Sequence, residues 1–474
     1  MKILIVLLFA FCTPLSFAKT KAKSAPPPPP REPAAPQRDS QEDVEALDSL
    51  INSANPPPLP EKDELTKLAK LMIEKSPTVR VALESWQMAQ LSTKSTQAKM
   101  LPSANISNSF GKKGPDRWNF PGPSNDYGSL LLSMNEVLYD NGATLNTLEQ
   151  NQKAEERLRL DFEYKRDQQL LAVAQAYMDL SQSLQAAQLD EAKRKILGRQ
   201  YAFMDSQFRQ GYKSRRDVLR LESAMRRLQL DTLSDETNIV VNRTHLLDLL
   251  GAKAEDLENL KIKGEETGAV EEPGSGTDAP LKLEEHRRLK ILRSREQEAD
   301  IGVRLAQRDY WPQLKLQSDA TYTNDNYLQS NATTGPNVFW SWDALVVVSW
   351  TIWDWGIKHN TLQTARVAAT QQADKNAQEE LDLDMTLKQL MRTLTEFKTS
   401  LNLSYELMTL ERQNYTSLEN DYRSGKSGYL DLITSINDYV DARSRFMTAY
   451  FNLRRQKLAY EFHRGDLFKN LIPE

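Results

Sequence analysis

The residue types that usually carry catalysis are thinly spread in this chain. His245, His286, His359 and His463 are scattered. They form no His-Glu-x-x-His pair and no other paired metal-ligand spacing. No Gly-x-x-x-x-Gly-Lys loop is present, and Gly274-Ser275-Gly276 reads as linker. The sequence therefore predicts no enzyme, no cofactor and no metal site. What does recur in a pattern is charge beside glycine. Arg209, Gly211 and Asp217 return as Arg423, Gly425 and Asp431. An arginine two residues before a glycine, then an acid six residues after it, suits a tight turn that opens a helix. A carboxylate in a first helical turn is favoured by the helix dipole.

These elements sit in a long internal repeat. Asp140-Asn141-Gly142 returns as Asp354-Trp355-Gly356, and Gly251 returns as Gly465. The offset is 214 for every such pair (354−140, 425−211, 431−217, 465−251). A duplication of this length implies two similar units side by side and a function built from their shared surface.

Bulk properties narrow the class. The 474 residues suffice for two or three ordinary domains, and 61 basic against 65 acidic residues leave a net charge of −4. Such a balance gives no strong field for nucleic acid or anionic membrane. The mean hydropathy of −0.60 with 39% hydrophobic residues favours thin helical layers over a thick core.

Residues 1–18 read as a signal peptide: Met1-Lys2, an apolar run from Ile3 to Phe11, and Ser16-Phe17-Ala18 at the cleavage site. Cys12 is the sole cysteine, and the bulky Phe11 before it argues against lipidation. The mature chain would then hold no thiol. Residues 19–61, with five prolines at 26–30, read as a disordered Pro-rich tether. No segment has 18 consecutive apolar residues, so no membrane helix is predicted.

Each repeat has the same order. Helix runs from Glu64 to Met100, broken near Ser76-Pro77, and Pro102 ends it. Ser103 to Phe110 and Tyr127 to Tyr139 alternate as a β-hairpin spanning 102–139. A long helical hairpin then fills 143–250, its first arm Ala143 to Arg209 being free of proline and of every glycine except Gly198. At 1.5 Å per residue that arm is roughly 100 Å long. Leu170, Val173, Tyr177 and Leu180 follow the 3-4 spacing of a narrow packed seam. The second repeat places a hairpin at 312–353 and long helices at 357–464. We delimit repeats at 62–251 and 281–466, an acidic Gly-rich linker at 252–280 and a tail at 467–474. The second β-hairpin is four residues longer (354−312 against 140−102), and we assign the difference to its loop.

Four strands of about 9–11 residues are long enough to cross a bilayer. Ala344, Val346, Val348, Trp350 and Ile352 would face lipid, with Leu345, Val347, Ser349 and Thr351 inward. Trp340, Trp342, Trp350, Trp353 and Trp355 would form interfacial aromatics. An open four-stranded sheet in lipid leaves costly unpaired edges. Several chains must share one barrel.

The ordered set of signal peptide, helix-Pro-strand-loop-strand, Asp-x-Gly, very long helix, Arg-x-Gly turn and return helix, all duplicated, resembles the TolC-type outer-membrane efflux proteins. The resemblance covers about residues 62–466. It implies a mainly α fold with transmembrane β: four membrane strands per chain, a trimeric 12-stranded β-barrel and a long periplasmic α-helical tunnel. It implies the outer membrane of a Gram-negative bacterium, with a periplasmic adaptor (membrane fusion) protein and an inner-membrane transporter as partners, and contact with outer-membrane lipid.

It also implies that the two helix-turn-helix tips close the tunnel and meet the adaptor. Carried over residue by residue, the tip set is Arg209, Gly211, Arg215, Arg216, Asp217, Arg423, Gly425, Asp431 and Thr434. A ring of three Asp431 carboxylates would repel one another and attract cations; the other reading of Asp431 is a first-turn helix acid, and both stand at this point. Thr434 occupies the place where relatives carry a second acid. Arg215 and Arg216 have no basic counterparts at Tyr429 and Leu430, so the tips are not equivalent. A periplasmic coiled-coil protein without a barrel is the rival reading, and the strand pairs distinguish the two.

Overall fold

The Asp-x-Gly motif explains how the strands join the long helices. Asn141 and Gly142 both hold left-handed backbone, at φ 59 and 81. That bend lets the Asp140 carboxylate accept from Gly142 N at 3.1 Å and from Thr144 N at 2.7 Å. Asp354 accepts in the same way from Gly356 N at 3.1 Å and Lys358 N at 2.9 Å. Each carboxylate thus satisfies orphan donors of the first helical turn.

The computed structural model describes residues 63–113, 125–256, 286–325, 338–424 and 426–472. The expected signal peptide and Pro-rich tether, both strand-joining loops, most of the acidic linker, Gly425 and the final two residues lie outside them. In chain order the elements are α1 (Asp63–Lys75), α2 (Pro77–Ala98), β1 (Ser103–Lys113), β2 (Asn125–Tyr139), α3 (Ala143–Arg209) and α4 (Arg215–Leu250). The second half supplies α5 (Arg287–Arg308), β3 (Gln313–Asp325), β4 (Val338–Ser349), α6 (Ile357–Arg423), α7 (Tyr429–Arg464) and α8 (Leu467–Leu471). The long arms are 67 residues each and the return arms 36 each. Tight turns occupy the few residues between each long arm and its return arm.

A 36-residue return helix covers only part of a 67-residue arm. The remainder is covered by the short helices α2 and α5. Gly251, at φ 64, ends α4 directly against Pro77 at the start of α2, so the two run end to end beside α3. In the second half His463, in the last turn of α7, meets His286 at the start of α5. The core follows the sequence seam: Leu170, Val173, Tyr177 and Leu180 of α3 are buried with Leu390, Leu394 and Leu401 of α6 and Phe451 and Tyr460 of α7. The stretch read only as a tail is a short helix with Leu467 and Leu471 buried in this core. It is tied to α1 by Thr66 Oγ1 donating to Leu471 O at 2.9 Å.

The strands form one antiparallel sheet in the order β1-β2-β3-β4. One expectation needs correction. The last strand, read as Trp340 to Trp353, ends at Ser349. The equivalent residues Glu136–Tyr139 stay in β2 because β3 pairs with them, with a bulge between Val137 and Tyr139. Among the described residues no strand pairs with Trp350 to Trp353.

Candidate functional site

Following the registers across the ladder sorts the sheet into two faces. Ile106 pairs with Leu132, Leu132 with Ala320 and Ala320 with Trp342, all on one face. That face also carries Leu130, Leu314, Val346 and Val348, and its Ile106, Leu132, Val346 and Val348 are exposed. Ser107, Leu131, Thr321 and Ser341 run across the other face, as do Asn105, Ser133, Asp319 and Asp343. One face is oily and bare, the other mostly polar. Exposed apolar area of this extent marks an interaction surface.

The five tryptophans lie exposed at the two ends of the oily strand. Trp340 and Trp342 stand towards the loop end, and Trp350, Trp353 and Trp355 beside the helices. Eight residues separate Trp342 from Trp350, roughly 26 Å of strand, close to the apolar band of a membrane barrel. The Trp350 indole donates to Tyr310 O at 3.1 Å. Trp353 and Trp355 meet edge to face with centroids 5.7 Å apart.

The opposite end of the chain holds the two tips. Gly211 ends α3 at φ 80, and Tyr212 N donates back to Gln207 O at 2.9 Å. The equivalent bond in the second tip, Lys426 N to Asp421 O, is 2.8 Å. This backbone bond is common to both tips. Arg209 pairs with Asp205 at 2.8 Å along its own helix. Arg215 and Arg216 are exposed. Asp217 accepts from the Ser214 hydroxyl at 2.8 Å, and its N–H donates to Ser214 Oγ at 3.4 Å. Asp431 accepts from Gly428 N at 3.2 Å, and Thr434 donates to Leu430 O at 2.9 Å. Ser214 caps the first return helix with Asp217 holding its hydroxyl, and Asp431 caps the second through Gly428 N. Asp431 is nonetheless exposed, which leaves its second oxygen available to other groups. Gly425 and the Arg423 side chain lie outside the described residues.

Sequence reasoning missed what holds the tips and halves together. Near the tips, Phe203 of α3 meets Tyr422 of α6 edge to face, and Ile433 of α7 packs on Leu197, Met204 and Leu221. Nearer the sheet, Asp167 of α3 is buried against Arg166 and Arg287, and Arg157 pairs with Glu298 at 2.6 Å. Arg455 of α7 reaches Asp179 at 2.6 Å. His286 Nε2 lies 3.2 Å from His463 Nδ1, and the His286 Nδ1 accepts from Arg288 N. Burial, then the neighbouring His463, Arg287 and Arg288, pushes His286 down to about 4. Half-way along the first hairpin, burial and then Asp235 push Asp190 up to about 6. Among the described residues no helix is long and apolar enough to cross a membrane, and no three potential ligands cluster for a metal.

Comparisons with known proteins fit this geometry. Residues 68–252, essentially the first half-repeat, match the outer membrane efflux protein family. No curated protein matches the sequence. Among solved structures, the CmeC outer membrane channel of Campylobacter jejuni is similar, at 13% identity and TM-score 0.72, over 85% of this chain and 86% of that one. The open state of the MtrE outer membrane channel of Neisseria gonorrhoeae gives 15% and 0.70, over 85% and 88%. The outer membrane protein VceC of Vibrio cholerae gives 15% and 0.67, over 86% and 96%. At these identities the likeness speaks for the fold, and it spans both half-repeats.

Proposed function

We infer that this chain, a member of the outer membrane efflux protein family through residues 68–252 and through its fold, works as the exit duct of a tripartite efflux or type I secretion system in the outer membrane. The observation that carries the reading is the sheet. It is oily on one face and polar on the other, has no strand beside either outer edge among the described residues, and stands on helices roughly 100 Å long. Open edges in lipid cost several kcal/mol per unpaired group, so the sheet must close with other copies. Three copies give twelve strands, the polar face lining a water-filled lumen and the tryptophans meeting the two membrane interfaces.

The helices then continue the lumen into the periplasm as a passive conduit. Substrate arrives from an inner-membrane transporter through a periplasmic adaptor. We assign the adaptor contact and the gate to the tips: Arg209, Arg215, Arg216 and Asp217 on one, Arg423, Asp431 and Thr434 on the other, with Gly211 and Gly425 making the turns. The charged, exposed Arg215–Arg216 pair of the first tip faces different chemistry from Tyr429–Leu430 of the second, so the two tips meet their partners differently. No catalytic step is required of any residue.

Complementation of a strain lacking the protein tests the reading. The intact chain should restore resistance to small toxic compounds, or export of a secreted protein, and should give stepwise conductance in planar bilayers. A chain that restores neither and conducts nothing would defeat it.

A further inference from the structure

Each half of this chain has a joint where a return helix ends beside a short helix, and the two joints are built differently. In the first half α4 ends at Gly251 on the start of α2, where an added methyl would meet Pro77 Cδ at 2.6 Å and Lys75 O at 2.9 Å. In the second half α7 ends at Gly465 beside the start of α5, and a methyl there would meet nothing within 4 Å. That joint is closed instead by His286 Nε2 and His463 Nδ1, 3.2 Å apart. The repeat offsets place Ser76 where His286 stands and Leu249 where His463 stands (286−76 is 210, 463−249 is 214). One joint is packed backbone, and the other is a pair of imidazoles. We propose that His286 and His463 form a clasp released by protons, which frees the end of α7 from α5 in mild acid while the first joint stays shut. The clasp is independent of the exit-duct reading.

The hydrogens fix how the clasp responds. The Arg288 N–H donates to His286 Nδ1 at 3.1 Å. A neutral ring that accepts at Nδ1 carries its hydrogen on Nε2. His286 Nε2–H therefore donates to His463 Nδ1, and His463 carries its own hydrogen on Nε2. No ring nitrogen of the pair keeps a free lone pair. An incoming proton must take His286 Nδ1, which breaks the cap of α5, or His463 Nδ1, which breaks the bond between the helices. Ser76 and Leu249, at the same places in the first half, face no such choice.

Among the described residues, the surrounding acids are already engaged. Asp167 and Glu163 of α3 pair with Arg287, and Asp167 also with Arg166. Glu379 of α6 pairs with Arg288 at 2.8 Å, and Asp466 beyond α7 with Arg464. Glu461 of α7 accepts from Asn470 at 3.3 Å. Tyr164 of α3 is held neutral, its hydroxyl pushed up chiefly by burial. The one charged residue of α8 is Lys469. An imidazolium here would sit beside Arg287 and Arg288. Burial of His286, then His463 and those two arginines, holds it down to about 4, and burial lowers His463 as well. Both rings return to about 6.5 once the joint opens. The open state thus takes up protons first, and the clasp weakens as pH falls from about 6.5 towards 4. The freed end belongs to the 36-residue helix that starts at the second tip, roughly 54 Å away.

Hydrogen–deuterium exchange of the detergent-extracted full chain, corrected for the intrinsic effect of pH on amides, tests the clasp. From about pH 7.5 to about pH 5.5 the amides of Arg288–Lys290, Gly465 and Asp466 should exchange about tenfold faster, through His286 alone. Their counterparts Thr78–Arg80, Gly251 and Ala252 should hold their rates. The Lys75–Asp256 pair at that joint stays charged over this range, because Lys75 holds the Asp256 carboxyl below its ordinary value. Rates that rise equally at both joints, or at neither, overturn the clasp. His286→Ser with His463→Leu gives the second joint the residues of the first and should remove the rise. A rise that persists in the folded double variant overturns the clasp as well. The two-joint comparison in the unaltered chain needs no variant and decides the matter if the double variant does not fold. Conductance of the unaltered chain at neutral pH is read separately. A conducting chain with flat exchange loses the clasp and keeps the duct.

Discussion

Single residues in this chain mostly hold geometry, and those at the tips are asked to do more. Asp431 caps its helix through Gly428 N, so Asp431→Ala should cost about 1 kcal/mol of local stability. If the tips also latch the tunnel, Asp431→Ala and Arg216→Ala will raise single-channel conductance and change drug sensitivity. Unchanged values would leave only the cap. Asp190 is raised to about 6, chiefly by burial. Its folded form resists ionisation, so its stabilising contribution is present below the ordinary carboxylate range and lost as pH rises through about 6. Asp190→Asn should therefore raise the Tm at pH 7 and leave it unchanged at pH 4. His286, held down to about 4 mainly by burial, has the opposite dependence. The unfolded chain takes up its proton first, so stability falls as pH drops from about 6.5 towards 4. His286→Asn should flatten the Tm profile over that window. The first-turn place of Asp431 was legible from its spacing, whereas the capping by Asp140 and Asp354 was not read from their repeat. The His286–His463 contact was not, since 177 residues separate the two.

At the scale of elements, the long arms were readable to the residue. Proline is absent from Ala143–Arg209, the 3-4 seam runs along it, and glycine closes it. Strand alternation also grouped Ala344, Val346 and Val348 on one side and Leu345 and Val347 on the other, as the registers do. What failed were features whose partner lies elsewhere. The end of β4 was overread because alternation continues to Trp353 while pairing does not. Leu467–Leu471 looked like a tail because five residues carry no period, yet two leucines there complete the core. Two contrasts follow. At Gly251 an added methyl would sit 2.6 Å from Pro77 Cδ and 2.9 Å from Lys75 O, whereas Gly465 has open space at a similar φ. Gly251→Ala should lower the Tm well beyond Gly465→Ala, which bears only the left-handed strain of about 1 kcal/mol. Asp167 is buried between two arginines, so Asp167→Ala should destabilise by roughly 3 kcal/mol. Arg304→Ala, at a half-exposed pair, should cost under about 1 kcal/mol in the same thermal melt.

For the whole molecule, the repeat does more than record a duplication. The offset is 214 from the Asp turn through both long hairpins to Gly251 and Gly465, and 210 before the β-hairpins. All four additional residues fall between Pro312 and Asp354, where β3 has 13 residues against 11 in β1. The helical length is thus the same in both halves, as a tunnel wall built from both demands, and the part beyond the sheet is free to vary. A half-oily sheet with no strand beside either outer edge among the described residues is unfinished alone. The central claim is that it is finished by other copies in the outer membrane. The decisive measurement is the mass of the particle extracted in mild detergent from the outer-membrane fraction. The account predicts a particle of three chains that resists SDS until heated. A soluble single chain in the periplasmic fraction would contradict it.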